Sequence, residues 1–153
     1  MALVDYLSES TVCMELQGEE REEAVRALLE QAVDGRLMPE DLVDEAMSRI
    51  IDREKLGSTA IGKGVAVPHA RLDGLDKPVV AFGYSSGGVE FNALDGEPVH
   101  EVFLVVAPRD HTDEYVAIME SITRLVQDPD FRRFAAQSSN AREVIELVAE
   151  MSS

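Results

Sequence analysis

Tryptophan is absent from the sequence, and there is a single cysteine, Cys13. One thiol cannot close an internal disulfide, so the fold needs no oxidising compartment, and Cys13 reads as a small apolar core residue. Aromatics make up 5% of the residues against a hydrophobic content of 45%, so the core is expected to consist of Val, Leu, Ile, Ala and Met. That apolar content also excludes a disordered acidic tail. Long apolar runs are missing. The longest, Val102-Phe103-Leu104-Val105-Val106-Ala107, falls far short of the roughly 18 residues a membrane span needs. No basic segment followed by an apolar stretch opens the chain, and a soluble, cytoplasmic protein with no membrane insertion is expected. Positive charge is scarce: 14 Lys and Arg stand against 30 Asp and Glu, a formal net charge of −16. Such a surface repels nucleic acid and anionic lipid, so no nucleic-acid partner is expected, and it steers a partner that presents a basic face. There is no internal repeat and no long linker, and 153 residues suit a single domain over 1–153.

The spacing of what is apolar sets the elements. Thr11-Val12-Cys13-Met14-Glu15-Leu16 has the β character of a short edge strand. From 19 to about 33, Val25, Leu28, Leu29 and Ala32 recur at helical spacing, acids fill the first turn, and Gly35 follows the end. A second helix opens with Pro39 at its first position, buries Ala46, Met47 and Ile50, and closes with Arg49 and Arg53. Residues 79–84 read as a buried strand, Ser85-Ser86-Gly87-Gly88 as a turn, Val89-Glu90-Phe91 as a short strand and Asp95-Gly96 as a further turn. Residues 100–106 are apolar without alternation from Val102, the mark of a strand covered on both faces, and Pro108 ends it. Thr112 can cap a helix striped by Tyr115, Met119, Ile122 and Val126, and Pro129 opens a short amphipathic segment. Asn140 with Glu143 makes a capping-box-like start for a last helix over Val144, Leu147, Val148 and Met151. Helices before, between and after strands predict an α/β fold, a mixed sheet with helices on both faces.

The densest chemistry lies in residues 53–71, REKLGSTAIGKGVAVPHAR. Gly57, Gly62 and Gly64, with Ser58 and Thr59 among them, predict a loop that bends and approaches something closely. Val65-Ala66-Val67 reads as a short buried strand that Pro68 stops, leaving His69 at a strand end and residues 71–78 as a turn. A histidine beside hydroxyls, backbone N–H groups, Arg53 and Arg71 has the makings of an anion site with a nucleophile inside it. For Ser58 and Thr59, turn chemistry and hydrogen bonding to a phosphoryl group on His69 are equally open. Arg53 could instead serve the C-terminus of its own helix. His100, opening the central strand, and His111, just before the next helix, read as locally bonded residues. No zinc-type spacing links the histidines, so no metal is expected, and neither a GKS or GKT phosphate loop nor a G-x-S-x-G elbow occurs.

REKLGSTAIGKGVAVPHA, preceded by two acidic helices and followed by VEFNALDGEPVHEVFLVVAP and TDEYVAIMESITRLVQD, resembles the fructose and mannitol class of enzyme IIA domains of the bacterial sugar phosphotransferase system. The likeness covers nearly the whole chain. It implies a three-layer α/β sandwich around a mixed sheet, of the free-standing kind that serves nitrogen regulation. It further implies that His69 accepts a phosphoryl group from the phosphocarrier HPr or a counterpart of it. The group would then pass to a cysteine of a IIB domain, in sugar transport, or act as a regulatory signal on a target protein. Such a protein is a phosphotransferase component and not a stand-alone enzyme. Arg53 and the Ser58 and Thr59 hydroxyls would supply charge and hydrogen bonds, with no cofactor. In one departure, Tyr115 stands where the family commonly places a second active-site histidine, and a phenol donates a hydrogen bond but offers no imidazolium. The alternative is therefore a non-catalytic regulatory module of the same fold that binds partner proteins.

Overall fold

The computed structural model of the protein describes residues 2–152, the side chain of Ile61 excepted. A 3-10 turn (Leu3–Tyr6) and a two-residue strand β1 (Val12–Cys13) precede helix α1 (Arg21–Asp34). A second 3-10 turn (Glu40–Leu42) leads into α2 (Val43–Leu56). Then come β2 (Ala60–Gly62), β3 (Val65–Ala66), β4 (His69–Leu72), β5 (Val79–Val89) and β6 (Val99–Pro108). Helices α3 (Thr112–Gln127), α4 (Pro129–Gln137) and α5 (Ala141–Met151) complete the chain. The sheet order is β1-β5-β6-β3-β2, with β4 also paired to β6. The sheet is mixed: β5 and β6 are antiparallel, as are β2 and β3, whereas β1 runs parallel to β5 and both β3 and β4 run parallel to β6.

Alternation along the two long strands divides the apolar residues between two cores. Val79, Ala81, Val102, Leu104 and Val106 face α1 and α2, where Val25, Leu28, Leu29 and Ile50 meet them. Val80, Phe82, Phe103 and Val105 face the C-terminal helices, against Ile118, Ile122, Phe131, Val144 and Val148. This is the expected sheet with helices on both faces. The few aromatics weigh more than their number suggests: Phe82 and Phe103 meet edge-on at 4.9 Å between ring centroids, and Phe131 stacks on Phe103 at 6.1 Å. Among the described residues no helix is long and apolar enough to cross a membrane.

Several local expectations are corrected. Pro39 precedes a 3-10 turn and does not open α2. The glycines at 62 and 64 do not exclude strand. With Lys63 they form the tip of the β2–β3 hairpin, all three at positive φ (90°, 62° and 80°), where glycine costs least. The run 85–88 is not a turn but part of β5, whose pairing with β6 is irregular between Tyr84 and Val89. There Gly88 N–H donates to the Ser85 hydroxyl at 3.1 Å, a turn-like bond absorbed into the strand. Most relevant to function, His69 opens a strand and does not end one. Pro68 lacks an N–H, yet its carbonyl accepts from Val105 N–H at 3.0 Å, so pairing to β6 survives the break and Arg71-Leu72 continue it.

Candidate functional site

In β4 the burial alternates: Ala70 and Leu72 enter the core beneath α1 and α2, so His69 and Arg71 share the opposite face. The His69 imidazole is half-buried, and its Nδ1 lies 2.8 Å from the Val67 carbonyl oxygen. A carbonyl only accepts, so Nδ1 is the protonated nitrogen and, in the neutral ring, Nε2 carries the lone pair. The break at Val67-Pro68 makes this bond possible, because it frees a carbonyl two residues before the ring from the ladder.

Above His69 stands the first turn of α3. The N-cap position is His111, not the expected Thr112, and it makes no side-chain cap bond. Its Nδ1 lies 3.1 Å from Glu114 Oε1 instead, and Glu114 also accepts from the Tyr6 hydroxyl. Thr112 is thereby left to face Arg71, whose Nη2 donates to the Thr112 hydroxyl at 2.7 Å and to the Arg109 carbonyl. One turn on, the Tyr115 ring lies 6.4 Å from the His69 ring and 5.2 Å from the Arg71 guanidinium carbon. Burial pushes the Tyr115 phenol pKa up, while the charges of Arg71 and Arg53 pull it down. Arg53 Nη1 donates to the Gly57 carbonyl at 2.7 Å, closing the C-terminus of α2, the service to its own helix that the sequence left open.

The hydroxyls of the loop are placed differently. Ser58 donates to the Phe91 carbonyl at 2.6 Å and accepts from Ala60 N–H at 3.0 Å, which is turn chemistry. Thr59 donates its backbone N–H to both Glu54 carboxylate oxygens, at 3.3 and 3.1 Å, and its buried Oγ1 has no hydrogen-bond partner among the described residues. No hydrogen bond among the described residues joins either side chain to His69. Glu54 was missed as a structural element of the site. It is only 2% exposed and anchors the loop at the end of α2. The signal was available: Glu54 lies four residues after Ile50, on the buried stripe, where a charged residue needs a partner. Arg71, too, held no role beyond proximity. His100 Nδ1 lies 2.7 Å from the Ser85 carbonyl, a local partner of the expected kind.

Comparison with known proteins now decides the family. The family described as phosphoenolpyruvate-dependent sugar phosphotransferase system, EIIA 2, matches residues 5–151. The chain belongs to it. This EIIA 2 chain is 31% identical over 132 residues to the PTS system fructose-specific EIIA component of Haloferax volcanii, covering 86% of the chain and 84% of that protein. It is similar in structure to the nitrogen regulatory protein IIA-Ntr from Neisseria meningitidis, with a TM-score of 0.84, 25% identity and coverage of 95% and 98% of the two chains. A third likeness is to the complex of enzyme IIA-Mtl and phosphorylated enzyme IIB-Mtl from Escherichia coli, with a TM-score of 0.74, 26% identity and coverage of 94% and 97%.

Proposed function

We propose that this EIIA chain is a cytoplasmic phosphoryl carrier that takes the group onto Nε2 of His69. The supporting observation is the bond from Nδ1–H to the Val67 carbonyl, which fixes the tautomer and turns the Nε2 lone pair outward. In the transfer, the Nε2 lone pair forms a bond to phosphorus while the bond from phosphorus to the donor's imidazole nitrogen breaks and its electrons return to that nitrogen. The proton stays on Nδ1, donated to the Val67 carbonyl oxygen. The phosphorylated ring is then cationic and a good leaving group for the next transfer. Positioning and charge supply most of the catalysis in such a step, and the chain offers the Tyr115 hydroxyl, on a ring 6.4 Å from that of His69, and the Arg53 charge. The donor is an HPr-like phosphocarrier. The onward partner is a IIB domain, as the mannitol complex suggests, or a regulatory target, as the nitrogen-regulatory likeness suggests.

Incubation with an HPr-like protein charged from phosphoenolpyruvate is expected to add one phosphoryl mass to the wild type and none to His69→Ala. The adduct is expected to be acid-labile and hydroxylamine-sensitive, as a phosphoramidate is. An acid-stable adduct, or label retained by His69→Ala, would overturn the assignment.

A further inference from the structure

Resting on His69 as the acceptor, we propose that Arg71 is a positioning residue for phosphoryl transfer, holding Tyr115 and a fixed positive charge against the face of the site where the phosphoryl group arrives. Three observations converge. Arg71 follows His69 by two residues on one strand, which puts the two side chains side by side on one face about 7 Å apart along β4. Its guanidinium is moored, since Nη2 is bound at once by the Thr112 hydroxyl and the Arg109 carbonyl, which ties β4 to the start of α3. Its cationic carbon then lies over the Tyr115 ring at 5.2 Å, an arrangement in which the ring and the charge hold each other in place.

The surroundings explain why a fixed charge is needed. Asp113 and Glu114 lie in the first turn of α3 and Asp110 stands just before it, in a chain of net charge −16. A phosphoryl group approaching that turn meets carboxylates. Arg109 is paired with Asp73 at 3.4 Å. Arg71 is instead moored against the first turn of α3, and its charge, with that of Arg53, acts on the Tyr115 phenol. Its buried Nε has no partner among the described residues, a cost that a residue kept for stability alone would shed. Because Arg71 acts through Tyr115, its removal is expected to lower the rate of transfer more than donor binding.

The test compares wild type, Arg71→Gln, Arg71→Lys and Thr112→Val in phosphoryl uptake from the charged HPr-like protein and from phosphoramidate, beside spectrophotometric titration of the phenols. Arg71→Gln is expected to lower kcat about tenfold at little change in KM for the protein donor, with a matching loss toward phosphoramidate. The Tyr115 phenol is expected to titrate higher in this variant. Arg71→Lys keeps the charge but loses the planar stack and double donation, and should recover only part of the rate. Thr112→Val leaves the charge but removes its mooring, and should fall between wild type and Arg71→Gln; it also carries the test if Arg71→Gln does not fold. Equal rates in wild type, Arg71→Gln and Thr112→Val overturn the role of Arg71 while leaving His69 as acceptor. An unlabelled wild type overturns both.

Discussion

Glu101 lies in β6 at 5% exposure with its Oε1 lacking a partner among the described residues. Burial raises its carboxyl pKa to about 8 against the opposing pull of the Arg132 charge. Between about 4.5, the ordinary value, and about 8 the folded chain keeps a proton that the unfolded chain has released. Unfolding then sheds a proton, so this group makes stability fall as pH rises through that window and level off above it. Glu101→Gln cannot ionise. Its melting temperature relative to wild type is expected to climb from pH 4.5 to 8 and plateau beyond; a difference that stays flat across the series would show that Glu101 is ionised in the fold. Glu101 was legible in the sequence only as one acid at the edge of an apolar run. His69 as the proposed acceptor stands out in the sequence at A-V-P-H, but the backbone bond that orients its ring does not, since it depends on how the chain resumes pairing after Pro68.

At the scale of elements, the helices were legible because each carries its periodicity over many residues, with caps such as Asn140, whose Oδ1 accepts from Glu143 N–H at 3.0 Å. The strands were harder where the partner, and not local preference, decides. β4 has only four residues, too few for alternation to register, and its proline punctuation suggested a stop. Ser85-Ser86-Gly87-Gly88 has every local mark of a turn, yet it lies inside β5, where the pairing with β6 is interrupted between Tyr84 and Val89 and resumes beyond. Gly83 in the same strand shows how closely β5 is packed. A Cβ there would lie 2.7 Å from Leu16 Cδ2 and 3.2 Å from Leu28 Cδ2, whereas one at Gly87 meets nothing within 4 Å. Gly83→Ala is expected to cost about 1–3 kcal/mol by overpacking. Gly87→Ala should cost less, and urea denaturation that finds the two alike would contradict this packing.

Across the whole molecule the surplus of acid is the feature most plainly written in the sequence, and the structure does little to neutralise it. Ion pairs such as Arg26 with Asp44 and Arg142 with Glu146 lie in solvent, where each contributes little. Self-repulsion at −16 should therefore be relieved by screening. The melting temperature is expected to rise as NaCl goes from about 0.01 to about 0.5 M, and a fall would mean that attractive pairs outweigh the repulsion. The arrangement of strands by length has a consequence of its own. The two strands of eleven and ten residues are interior, while β1, β2 and β4, which have two, three and four, lie along the margins. A margin this short presents few free backbone donors and acceptors for a second chain to template on, so the sheet resists edge-to-edge aggregation at any concentration its charge already keeps dispersed. His69 begins one of these marginal strands, so its backbone is paired to β6 on one side only.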